Sequence, residues 1–286
     1  MCDELTAADN VEHLTALMTR RGFGAATAAL GVAALLPSPA DAAPLRGRDV
    51  SIKTPEGSCD AYFVAPAVGK HPGVVVWPDI FGLRPAFRKM ADRLAQSGYA
   101  VLTVNQFYRS TKAPFVSQGQ GFDDAFQARV KPWREALSPD AATRDAKAFI
   151  AWLDAQAQVD SKRGIGSTGY CMGGPLVMLT AAASPARVRA GATFHGGGLA
   201  TDAMLGLIPK MKARWLIAIA ENDDARAPAD KAKLRAAFDA SHQPAEIEVY
   251  KGTKHGWCPP DSPVYDQAQA EHAWARLLAL FGKALA

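Results

Sequence analysis

Two hydrophobic rhythms alternate along most of the chain. "DVSIKT" and "CDAYFVAP" alternate apolar and polar residues around the turn "PEGS", which predicts a hairpin. "HPGVVVWPD" is an unbroken apolar run closed by Pro78, suited to a strand covered on both faces. "PAFRKMADRLAQSG" sets Phe87, Met90, Ala91 and Leu94 on one helical face and stops at Gly98. "YAVLTVN" is the next strand. A polar, irregular insert is expected from Gln106 to Asp140, then a helix from about Ala141 to Gln156. Strand "GIGSTGY", helix "PLVMLTAAAS", strands "VRAGATFHG" and "RWLIAIAEND", helix "PADKAKLRAAFDA", strand "AEIEVYKG" and a last helix through Leu280 complete the series. Strands alternating with helices predict an α/β fold: a mostly parallel sheet of about eight strands, helices on both faces, joined by right-handed crossovers.

The N-terminus breaks this pattern. Arg20-Arg21 precede a weakly apolar stretch, Gly22 to Leu36, then Pro37 and the small-residue site Ala40-Asp41-Ala42. That order is the one expected of a twin-arginine-type export signal over residues 1–42, read by the twin-arginine translocase. The stretch is too short and too rich in Gly and Ala for a spanning helix, so no membrane insertion is expected once the signal is removed. Residues 43–286 then form one domain, expected in the periplasm or outside the cell.

Composition narrows the chemistry. The 286 residues are 49% hydrophobic and 21% charged, enough for one sizeable core. The net charge of +4 is spread without a dense basic block, which argues against a nucleic-acid partner. Beyond Cys2, the three cysteines Cys59, Cys171 and Cys258 are an odd number, so at least one thiol stays outside any intramolecular pair. No C-x-x-C and no Cys/His pair at ligand spacing occurs, so neither a metal nor another cofactor is expected.

In a parallel sheet the chemistry gathers in loops at the carboxyl ends of strands. Three such loops carry reactive groups. "GSTGYCMGG" sets Cys171 between Gly169 and Gly173, a G-x-C-x-G version of the strained strand-to-helix turn that presents a nucleophile. Pro175 is tolerated in the first turn of the following helix, whose N-terminus favours a thiolate. "LIAIAENDDARAP" ends a strand in Asp223 and Asp224, and "VYKGTKHGW" ends one in His255. Nucleophile, acid, histidine is the triad order of α/β-hydrolases. His255 would move protons while an aspartate holds its tautomer. Asp223 leaves the strand first and is preferred; Asp224 is the alternative. "FHGGG" resembles the oxyanion motif of lipases but follows the nucleophile instead of preceding it, so it reads as a turn with His195 lining the pocket. Trp77, Phe81, Tyr108, Trp133 and Trp257 fit either a pocket floor or plain core.

"WPDIFGLRPAFRKMADRLAQSGYAVLTVNQFYR", "GSTGYCMGG", "AENDDARAP" and "GTKHGW" together resemble the dienelactone hydrolase family, from about Asp49 to Phe281. The resemblance implies an α/β-hydrolase with Cys171 as nucleophile, His255 as base and Asp223 as its partner, and an oxyanion hole from the amides of Ile80 and Met172. It implies cleavage of carboxylic esters or lactones through a cysteine thioester. Two departures follow from the same comparison. Asp79 stands where dienelactone-active members carry a glutamate that modulates the thiol. Arg109 matches the first of two substrate-binding arginines, but Pro259 stands at the second, and a proline cannot replace a bidentate fork. Dienelactone itself is therefore a doubtful substrate. The rivals are a thiol oxidoreductase, disfavoured because no second cysteine lies near Cys171 in sequence, and a non-catalytic or differently specialised binding protein on the same fold.

Overall fold

In the computed structural model, which describes residues 44–117 and 119–286, strands β1 (Leu45–Thr54) and β2 (Gly57–Pro66) form the expected hairpin. The export signal expected at residues 1–42 lies outside the described residues. β3 (Gly73–Trp77), β4 (Ala100–Val104), β5 (Ile165–Tyr170), β6 (Val188–Phe194), β7 (Arg214–Ala220) and β8 (Ala245–Tyr250) complete one sheet in the order β1-β2-β4-β3-β5-β6-β7-β8. The first two strands pair antiparallel and β2 meets β4 antiparallel; every later pairing is parallel.

The helices cover both faces, and side-chain alternation along β3 shows how. Val74 and Val76 enter a core shared with α1 (Pro85–Gln96) and the long C-terminal helix, while Val75 and Trp77 enter the opposite core. That opposite core receives α2 (Asp124–Ala136), α3 (Pro139–Asp154) and α4 (Gly173–Ala183), the last buried nearly all round. A four-residue helix α5 (Asp202–Leu205), a short α6 (Glu221–Arg226) and α7 (Asp230–Ala240) follow, and α8 (Gln267–Ala284) packs back beside α1.

The insert after β4 is more ordered than its polar sequence predicts. Asp123 caps α2 by accepting a hydrogen bond from the Phe126 amide, and the helix buries Phe126 and Val130. With only two buried positions in thirteen residues and Pro132 inside, its apolar stripe is too thin to read from periodicity. The aromatic residues make up the difference. Phe126 stacks on Phe81 at 4.9 Å, and Phe107, Phe115 and Trp133 meet edge to face or tilted.

An ionic network closes the hairpin against α3. Asp145, fully buried, accepts a two-point bond from the Arg109 fork (2.7 and 2.9 Å) and one from the Tyr108 hydroxyl (2.8 Å). Arg109 also donates through Nε to Glu56 at the hairpin turn, where Arg144 joins. Removing one partner of a buried pair costs about 3–5 kcal/mol because the other charge is left uncompensated. Asp145→Ala should therefore lower unfolding free energy by about that amount, read from the denaturant midpoint, with Asp145→Asn losing less.

Candidate active site

The chain reverses its direction of travel across the sheet at β3. From β3 it steps outward to β4, and then returns to place β5 on the other side. The gap above such a reversal is where open α/β sheets place their sites. Here it is flanked by Pro78-Asp79-Ile80 after β3 and by Cys171 after β5.

Cys171 has φ = +54°, a left-handed backbone that a non-glycine residue rarely holds. The surroundings enforce it. A Cβ on Gly173 would sit 2.4 Å from the Trp77 carbonyl oxygen, and one on Gly169 would sit 2.3 Å from the Gly173 oxygen. A Cβ on Gly174 would come within 2.8 Å of the Gly196 backbone. Strand, turn and helix thus touch backbone to backbone, and only glycine allows it. The Cys171 amide donates to Phe194 O (3.0 Å), so the turn is anchored to β6. The residue is buried, at 2% exposure. Its sulfur is in a disulfide in this structure while Cys59 and Cys258 are free thiols, so a nucleophilic role would belong to the reduced form.

The acid and base meet one another. His255 Nδ1 lies 2.8 Å from Asp223 Oδ2, on a side chain that is 3% exposed. Asp224 is instead paired with Lys231 at 3.1 Å. Asp223 sits in the first turn of α6, not in the strand itself, because the chain coils directly at the end of β7. Neighbours the sequence did not single out hold the two loops together. Asn222 accepts from the His255 amide (2.9 Å), Thr253 from the Glu221 amide (3.4 Å), and Glu221 from the Gly252 amide (3.1 Å). With β5, β7 and β8 in one parallel set, Cys171, Asp223 and His255 share one edge of the sheet.

The loop after β3 is fixed by its polar groups. Gln106 donates to the carbonyls of Pro78 (3.3 Å) and Asp79 (2.7 Å); the Gly82 amide donates to Asp79 O and the Phe81 amide to Asp79 Oδ1. The N–H groups of Ile80 and Met172 meet no acceptor among the described residues. Two donors left over at the switch point are what an oxyanion site requires.

Asp79 and Arg109 are placed differently from the sequence expectation. Both oxygens of Asp79 are bound by Arg84 (2.6 and 3.0 Å), whose fork also grips Asp261 beyond the histidine loop (2.7 and 2.9 Å). Burial pulls the Arg84 pKa down, but the two carboxylates more than reverse it and it ends above its ordinary value. Arg84 also lies over Phe87 at 4.9 Å. Any influence of Asp79 on the thiol is thus exerted by a carboxylate already neutralised by a guanidinium. No sequence signal marked Arg84, because its second partner lies 177 positions away. Arg109 turns its fork to Asp145 and Glu56 and takes the part of a scaffold residue instead of a carboxylate receptor. His195 does not line an open pocket: it is 1% exposed, under the ring of His255. Trp77 and Trp257 are fully buried core, and no group of three or more possible metal ligands occurs among the described residues.

Comparison with known proteins bears on the family and the fold. The model of the dienelactone hydrolase family matches residues 59–285. A protein of Methylorubrum extorquens named "Putative carboxymethylenebutenolidase" is 28% identical, covering 96% of this chain and 93% of its own. The carboxymethylenebutenolidase of Rhodococcus opacus is 28% identical over 74% of this chain and 81% of its own. A crystal structure of dienelactone hydrolase from Anabaena variabilis superposes with a TM-score of 0.62 at 17% identity, covering 85% of this chain and 99% of that one, and shows the shared fold.

Burial pushes the thiols of Cys59 and Cys258 well above the ordinary range. After mild reduction, iodoacetamide at neutral pH should therefore label Cys171 and leave Cys59 and Cys258 unlabelled in the folded protein. Peptide mapping checks this, and loss of activity should track labelling of Cys171.

Proposed function

The chain belongs to the dienelactone hydrolase family, a hydrolase of carboxylic esters or lactones, and we propose that it works through a cysteine thioester. His255 takes the Cys171 proton while Asp223 holds the opposite ring nitrogen. The thiolate attacks the carbonyl carbon, and the oxygen that gains charge is received by the amides of Ile80 and Met172. The C–O bond to the leaving alcohol breaks, and that oxygen takes the proton from His255. Water, deprotonated by His255, then attacks the thioester and releases the acid and the restored thiol. For a lactone the two halves remain one hydroxy acid.

The observation that carries this reading is the left-handed Cys171 at the switch point, on the edge that also holds the His255–Asp223 pair. Strain of that kind persists where function requires it. With Arg84 and Arg109 each engaged by two carboxylates, the substrate range proposed here centres on neutral esters and lactones. A non-catalytic role is not favoured: a binding module has no need of a strained cysteine beside a tautomer-locked histidine.

Cys171→Ala should abolish hydrolysis of nitrophenyl esters and simple lactones by the reduced protein while the unfolding transition stays cooperative. Retention of most of the activity by this variant would sink the nucleophile assignment.

We also propose that residues 1–42 are a twin-arginine-type signal delivering the folded protein to the periplasm or beyond; the support is Arg20-Arg21, the weakly apolar stretch and Ala40-Asp41-Ala42. Replacing both arginines with lysine should trap full-length protein in the cytoplasm, and the exported form should begin at Ala43 by mass spectrometry. An exported protein with an intact N-terminus counts against it.

A further inference from the structure

The triad uses the ends of β5, β7 and β8 and skips the strand between them. β6 lies between β5 and β7, and the residue at its end is His195. The backbone there is again left-handed, at φ = +43°, and the His195 amide is tied to Ala218 O of β7 at 2.8 Å. The ring lies 5.0 Å from that of His255, at 68° to it, and between Tyr170 and Trp257 at 6.1 and 6.3 Å.

This placement is costly. Neither ring nitrogen of His195 has a hydrogen-bond partner, and the side chain is buried. Burial first, and the neighbouring His255 second, hold its pKa well below the ordinary value, so the ring is neutral. A neutral imidazole carries one N–H and one lone pair. Left unsatisfied in the interior, each costs stability. A phenylalanine would fill the same space among Tyr170, Phe194 and Trp257 without that cost. The nitrogens are therefore the feature to explain. They sit under the one ring whose charge changes during the proposed reaction.

We propose that His195 is a positioning residue that acts through His255, its ring nitrogens stabilising the charge that His255 gains on taking the Cys171 proton. The inference rests on the Cys171–His255–Asp223 reading above. A neutral imidazole can turn its lone pair toward an imidazolium, directly or through one water, and a hydrocarbon ring has no lone pair to offer. Because His195 stays neutral, it supplies this stabilisation without competing for the proton. Contact is with His255 and not with substrate, so the effect falls on turnover and not on binding.

The test compares His195→Phe, which keeps the packing, with His195→Gln, which keeps a donor and an acceptor, both in the reduced full chain with nitrophenyl acetate. His195→Phe should melt at or above the parent temperature, yet lose about tenfold in kcat with KM little changed. His195→Gln should retain most of kcat. Parental kcat in a folded His195→Phe overturns the proposal and leaves a packing role, and a loss confined to KM overturns it in favour of substrate contact. Should His195→Phe melt well below the parent, His195→Gln decides: most of kcat retained supports the nitrogens, and a tenfold loss rejects them. Cys171→Ala run alongside separates the two readings, because activity surviving in that variant removes the triad whatever the His195 variants do.

Discussion

Backbone-to-backbone contact at the nucleophile turn is the constraint on which the site depends. Gly173 stands so close to the Trp77 and Pro78 carbonyls that β3 and the start of α4 have no room for a side chain between them. That closeness accompanies the left-handed geometry of Cys171 and ties together the two strands that flank the switch point. The Trp77 indole donating to Thr180 (3.0 Å) holds α4 in the same relation about two turns further on. Strain at one residue is thus sustained by the packing of three elements.

Charge follows a consistent rule around this centre. The buried guanidiniums are matched by carboxylates: Arg84 by Asp79 and Asp261, Arg109 by Asp145 and Glu56. Arg84–Asp261, Arg109–Asp145 and Arg109–Glu56 each join segments far apart in sequence, so these charges fix loop positions. The polarity of the proposed site is local, resting on two amides and one histidine–aspartate pair. This arrangement accords with a site that does not require an anionic substrate.

Much of this was legible in the sequence, and the exceptions have physical reasons. The parallel strands β3, β4 and β7 are largely apolar runs, and the proposed triad residues follow the ends of β5, β7 and β8, so topology gathers them on one edge. Asp223 could be preferred over Asp224 only by position; the structure separates them through Lys231. The helix Asp124–Ala136 went unread because its burial comes from aromatic contacts with Phe81 and its neighbours, not from a repeating stripe. Arg84, Asn222 and Asp261 carry no motif, and their roles exist only once remote loops meet. Arg109 and Asp79 matched a family pattern by position, yet their partners, not their positions, determine what they do.

The grip of Arg84 on Asp261 has a consequence for how the molecule comes into being. Arg84 belongs to the first third of the chain and Asp261 to its last tenth, after all eight strands. During synthesis the early strands and α1 can collapse into a partial sheet, but Arg84 then has only half of its charge partners, and the loop with Ile80 is held from one side. The histidine itself arrives with the same late segment. Domains of this size form through partly built states as the chain emerges. In this one, the edge that carries the proposed site is closed by a segment that follows the eighth strand, so a chain interrupted before it holds a cysteine on a strand end without its histidine or the second partner of Arg84.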